Sequence, residues 1–159
     1  MRVAGIFLIV AVAALFSFDR IKRARHSLLV LEELYRFIEC MRVEIGCYLR
    51  PISQIPKSFS SDILLKMGFF EDAERFGLFD AYLRLEKKMD SAEEEKKILG
   101  RFFSLVGRGY AEDEIKLIDG TAAQLSPLLL KKRAEAPTHK KLVLTLSSAV
   151  ASALIILLI

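Results

Sequence analysis

Apolar positions follow three regimes along the chain. Residues 3–18 are uncharged and close against Arg20, Lys22, Arg23 and Arg25. Residues 142–159 are apolar apart from Thr145, Ser147, Ser148 and Ser152, and they follow Lys131, Lys132, Arg133, Lys140 and Lys141. Between these runs the hydrophobic residues recur at helical intervals. Apolar stretches of this length bounded by basic residues read as helices crossing a bilayer. The first run is slightly short, and the stems of Arg2 and Arg20 extend it by snorkelling. Both basic clusters lie on the interior side of their runs, which predicts a cytoplasmic middle with both termini on the far side of the membrane. A cleaved signal at Ala11, Val12 and Ala13 would leave a very short apolar region and a basic new start, poorly suited to export.

The middle of the chain predicts helices throughout. Leu28, Leu31, Tyr35, Ile38, Met41 and Ile45 repeat at three and four, so one helix, or two collinear ones, runs from the first apolar stretch to a stop at Gly46. Pro51 opens a short element reaching about Pro56, after an Arg50 pushed away from helical geometry. Ser61 caps a helix over 62–67 that Gly68 closes. Residues 76–89 are amphipathic, with Leu78, Tyr82, Leu85 and Met89 on one face. Ser91 with Glu94 forms a capping box for a helix whose buried stripe is Ile98, Phe102, Leu105 and Val106. Gly107, Arg108 and Gly109 end it. Ala111 then starts a helix with Ile115, Ile118, Ala122, Leu125 and Leu129 inside, which Pro127 should bend or end and Pro137 should break again. No window alternates with period two. The expected fold is all-α: a small cytoplasmic helical bundle over 21–136 between membrane helices at 1–20 and 140–159.

Charge refines this picture. The net charge of +4 on 159 residues could suggest nucleic acid. Yet residues 26–130 hold 14 Lys+Arg against 18 Asp+Glu, a net of −4, whereas the flanks hold 10 against two, a net of +8. The positive charge sits beside the apolar runs, which favours bilayer topology and anionic lipid contact and excludes nucleic acid as the expected partner.

Candidate chemistry is sparse. Cys40 and Cys47 match no zinc spacing and are expected as reduced, buried apolar filler. His26 and His139 flank the apolar runs without a motif. Glu93, Glu94 and Glu95 suit the positive end of a helix and are candidates for partner contact, as is the segment 46–56. Gly107, Arg108 and Gly109 lack the lysine and the Ser/Thr of a phosphate loop. Phenylalanines at helical spacing read as core, with some left over for a partner. Neither apolar run contains an ionisable residue, against an intramembrane enzyme or transporter. No cofactor, metal site or enzymatic activity is expected.

Two motifs carry a resemblance. Glu44 and Ile45, five residues, then Pro51 and Ile52 form one; Ile98, Leu99, Phe102, Val106 and Gly107 form the other. With the basic approach to a terminal apolar helix, they make the chain resemble stage III sporulation protein AB of endospore-forming bacteria. It departs from that family in having Cys47 and Tyr48 where Tyr-Gly is usual, in lacking the aspartate usual around Gly109 and Tyr110, and in lacking the glycines of the final helix. The resemblance implies a cytoplasmic domain similar to type II secretion F and type IV pilus platform proteins, in a channel complex linking mother cell and forespore. It further implies docking of a secretion-type ATPase and of neighbouring membrane subunits, with homo-oligomerisation also compatible. A membrane-anchored regulator or sensor unrelated to secretion is the rival reading.

Overall fold

The structure, a computed structural model, describes the backbone from Arg2 to Leu158 and the side chains of Asp19 and of residues 22–135. It is all-α, with no strand among the described residues. Helices follow in the order α1 (Arg2–Tyr48), α2 (Ile55–Ser58), α3 (Asp62–Lys66), α4 (Phe69–Phe76), α5 (Leu78–Glu86), α6 (Glu93–Leu105) and α7 (Ala111–Leu158), with a 3-10 turn at Ile52–Gln54 ahead of α2. The backbone groups into two compact units: Ser27–Leu130, and Met1–His26 together with Lys131–Ile159. Among the described residues no helix is long and apolar enough to cross a membrane. Both expected spans, with Arg20, His139, Lys140 and Lys141, lie outside the described side chains.

Within Ser27–Leu130, α1 supplies the widest buried face: Val30, Leu31, Leu34, Phe37, Ile38, Met41 and Ile45 are all essentially inaccessible. The expected stripe was narrower and included Leu28 and Tyr35, which are only half-buried against this core. A helix with neighbours on both flanks buries more than the usual single stripe. Phe37 is the hub of an aromatic cluster. It meets Phe59 at 5.3 Å, Phe69 at 5.7 Å and Phe70 at 6.3 Å between ring centroids, each edge-on. Phe69 in turn meets Phe103 at 6.0 Å, and Phe103 stacks on Tyr82 at 4.9 Å. Each such ring pair adds about 0.5–1.5 kcal/mol beyond the area it buries. Antiparallel packing of α1 and α7 is marked by the Arg42–Asp119 ion pair at 2.6 Å and by Gly46 lying against the Ile115 side chain.

Helix ends depart from expectation at several places. Gly46 does not stop α1. The helix runs on to Tyr48, Leu49 takes a left-handed φ of 49°, and the Arg50 N–H donates to the Glu44 carbonyl at 3.1 Å. A left-handed residue just past a helix end is usually glycine. Ser61 caps α3 as expected, its Oγ accepting from the Leu64 N–H at 3.3 Å, and Gly68 closes the turn at φ 80°. The amphipathic stretch 76–89 is not one helix. Phe76 ends α4, and α5 begins only at Leu78. Gly77 between them has φ 88° and ψ 166°, a region open essentially to glycine alone.

The capping box of α6 is shifted by one residue. Ala92 is the N-cap, and Glu95 returns to accept from its N–H at 3.2 Å. Alanine has no side-chain acceptor, so only half of a capping box exists. The shift rotates the stripe: Glu95, Leu99, Phe102 and Phe103 are buried, whereas Ile98 is half-buried and Leu105 exposed. Pro127 neither ends nor divides α7, and the helix also continues across Pro137. Pro127 is exposed, while Leu125 and Leu129 on the opposite face are buried at 0% and 4%. Two buried leucines contribute about 1.5–3 kcal/mol each, enough to offset the roughly 3 kcal/mol that a helical proline costs.

Candidate functional site

Three local decisions of the chain open a cleft in the Ser27–Leu130 unit. The 3-10 turn and α2 form one wall, the elbow at Gly77 sets a second, and the end of α6 with the glycine loop after it forms the third. The cleft has a volume of about 780 Å³. Its floor is apolar: Ile52, Pro56, Leu78, Phe79, Phe103 and Val106. Lys57 pairs with Glu74 at 3.6 Å on the rim, and the exposed Arg108 stands on the glycine loop. The Phe76 ring at the edge carries the Arg84 guanidinium 4.2 Å above it. Among the described residues, Phe76 and Phe79 are the exposed phenylalanines, at 49% and 38%.

The glycine loop is held from beneath by a residue the sequence reading did not single out. Glu114, only 3% exposed, accepts from the Gly107 N–H at 2.9 Å and the Gly109 N–H at 2.8 Å, both through Oε1. Its Oε2 is buried without a hydrogen-bond partner. In sequence, Glu114 belongs to the acidic opening of α7 with Glu112 and Asp113, and only those two are exposed. A buried carboxylate accepting two backbone N–H groups pins the loop geometry. Gly107, Arg108 and Gly109 are therefore a clamped turn lining the cleft.

The residues expected at the site scatter. Glu44 and Ile45 lie on the last turns of α1, where Ile45 is core and Glu44 pairs with Arg50 at 3.0 Å. Pro51 is the N-cap of the 3-10 turn, and Phe102 is fully buried in α6. Of these five only Gly107 reaches the cleft, which the candidate segment 46–56 also lines through Ile52, Ser53 and Pro56. Glu93 is exposed and pairs with Lys96 at 3.1 Å, Glu94 is exposed, and Glu95 is buried at the helix start. Lys22, Arg23, Arg25 and His26 are exposed, as are Lys131 and Arg133, with Lys132 half-buried.

No three metal-ligating side chains converge among the described residues. Both cysteines are free thiols, but only Cys40 is partly buried; Cys47 is exposed and is not filler, because α1 turns it outward beyond the last core position, Ile45. Burial, reinforced by Glu44, pushes the Cys40 thiol above its ordinary range, which keeps it protonated and unreactive. Tyr82, whose hydroxyl donates to the Lys96 carbonyl at 3.2 Å, is also shifted well upward, by burial first and then by Glu86 and Glu95. Both shifts move these groups further above neutral pH. What the arrangement offers is shape and apolar area: a walled cleft with an exposed aromatic edge and few charges. Comparison with protein-family models, with curated proteins and with solved structures returned no match to this chain.

Proposed function

We propose that the chain is a membrane-anchored docking platform with no catalytic activity of its own. Its two terminal apolar runs anchor it as spans, and Ser27–Leu130 is a cytoplasmic helical unit that holds a partner. The observation carrying the docking role is the cleft, with an apolar floor, a clamped wall and partly exposed Phe76 and Phe79. Clefts of this kind seat an apolar side-chain row from a partner segment, with aromatic anchors supplying much of the binding energy.

On the resemblance to stage III sporulation protein AB, the partner is a secretion-type ATPase or another membrane subunit of the channel between mother cell and forespore. The domain then faces mother-cell cytoplasm, and two anchors from one domain would give a ring-shaped motor an oriented docking site.

A photo-crosslinking residue placed at Phe79 in sporulating cells tests this directly. Capture of a secretion-type ATPase or a channel subunit from Phe79, but not from the exposed Leu29 of α1, is the expected result. A detergent-solubilised complex lacking all such subunits, with no specific crosslink at Phe79, would sink the proposal.

A further inference from the structure

The charges around the cleft do not all cancel. Lys57 is offset by Glu74 at 3.6 Å, and Arg84, above the Phe76 ring, is offset by Asp72 at 3.7 Å. Arg108 is exposed, lines the cleft and engages no acidic group among the described residues. The buried Glu114 beneath its loop is taken up by the Gly107 and Gly109 N–H groups.

The outer face of α6 extends this excess. Lys97, Arg101 and Ser104 are four and three residues apart and share that face, and Ser104 lines the cleft. Lys97 and Arg101 are exposed and, like Arg108, have no ion-pair partner among the described residues. Two cations at i and i+4 repel each other and weaken the helix that carries them. Glu93, at the start of the same helix, pairs with Lys96 at 3.1 Å instead. These three cations stand along one edge of the cleft, although Ser27–Leu130 carries 14 Lys+Arg against 18 Asp+Glu, a net of −4. Lys97 to Ser104 spans about two helical turns, a spacing that carboxylates at i and i+4 of a second helix reproduce. An extended peptide would need a strand edge, and no strand exists among the described residues.

We infer that the cleft takes an amphipathic helix of a partner protein whose apolar stripe is bordered by acidic residues. Phe76 and Phe79 meet the stripe, and Lys97, Arg101 and Arg108 pair with the acidic border. The inference rests on the docking reading above and adds the chemistry of the partner.

Three synthetic peptides of about five helical turns, sharing one leucine stripe, test it. One is bordered by glutamate, one by lysine, and one by glutamate with two central prolines. Binding to the full chain in phosphatidylcholine nanodiscs is read by fluorescence anisotropy, with empty nanodiscs as the blank. The glutamate-bordered helix should bind about tenfold more tightly than either of the others, and added salt should weaken it. The triple variant Lys97→Gln, Arg101→Gln and Arg108→Gln should weaken it about 30-fold, at roughly threefold for each lost pair. Arg101→Glu with Arg108→Glu should pass the preference to the lysine-bordered peptide. Lys66→Gln, at an exposed lysine that does not line the cleft, should change nothing. Phe79→Ser should weaken every peptide that binds.

Full binding by the triple variant, or equal affinity for the glutamate and lysine borders, overturns the acidic assignment. If that binding still depends on Phe79, the docking cleft stands without it. Equally tight binding of the proline peptide overturns the helical occupant. Binding of no peptide, or binding indifferent to Phe79→Ser, overturns the docking cleft and the inference together.

Discussion

Removing the carboxylate of Glu114 should unclamp the wall of the cleft at a definite cost. In Glu114→Ala two charge-assisted hydrogen bonds are lost, to Gly107 at 2.9 Å and Gly109 at 2.8 Å. Bonds of this class contribute about 1.5–3 kcal/mol each, so the gross loss is about 3–6 kcal/mol. Against it stands Oε2, buried without a partner, whose removal returns about 1–3 kcal/mol. The loss of bonds wins, and the net destabilisation should be about 2–3 kcal/mol. At about 2–4 °C per kcal/mol for a chain of this size, Tm should fall by roughly 5–10 °C. Glu114→Gln keeps one acceptor without its charge and should lose about half as much. Thermal unfolding of the full chain in detergent, followed by circular dichroism, measures the shift. Amide exchange over residues 107–110 should accelerate in the same variant. Glu112→Ala, at an exposed position in the same turn, should move neither reading. A Tm change under 1 °C with unaltered exchange at Gly107 and Gly109 would refute the clamp.

Phe103→Ala should destabilise by about 3–5 kcal/mol, because this 2%-exposed ring contacts Phe69, Phe102 and Tyr82, whereas Phe79→Ala should cost far less in urea unfolding and act on partner capture. Equal losses from the two would contradict the division between core and cleft edge. Ala92→Asp supplies the missing side-chain acceptor at the start of α6 and should stabilise by about 1 kcal/mol in the same assay; a loss instead would mean that Ala92 is not the cap. Tyr82 has its folded pKa raised, so its contribution is complete below the unfolded value of about 10 and is lost as pH rises beyond it. Tyr82→Phe should therefore flatten the alkaline fall in stability above about pH 10, and an unchanged pH profile would remove Tyr82 as its source.

Much of the fold was legible because its signals are local. Ser61 followed three residues later by a free N–H is a cap wherever it occurs, and Ile118, Ala122, Leu125 and Leu129 bury themselves by spacing alone. The misses have a common cause in tertiary packing. Pro127 reads as a break, but the leucines on either side hold α7 together across it. Gly46 reads as a stop, yet α1 continues two residues further and closes on Leu49, a residue type with no bias toward left-handed backbone. Ser91 with Glu94 and Ala92 with Glu95 are rival frames for one helix start; the second puts Leu99 and Phe103 inside.

The cleft was the least legible feature, since its walls come from residues as far apart as Ile52 and Gly109. Phe76 and Phe79, at its edge, fall among phenylalanines at helical spacing, which read as core by default. A signal did exist for Glu114: an acidic residue one turn inside a helix and shortly after two glycines can reach their N–H groups. As one of three successive acidic residues at a helix start, Glu114 reads first as a dipole complement, which hides this role.

Gly77 has a consequence for recognising this architecture elsewhere. Its backbone, at φ 88° and ψ 166°, is closed to residues that carry a Cβ, although an added Cβ would meet nothing within 4 Å. The constraint is thus one of torsion and not of room. A chain sharing this corner must keep glycine there however far its surface has drifted, whereas the aromatic residues beside it can exchange with one another. A glycine between two short amphipathic segments is then a better search mark for the elbow than any of the side chains that line it.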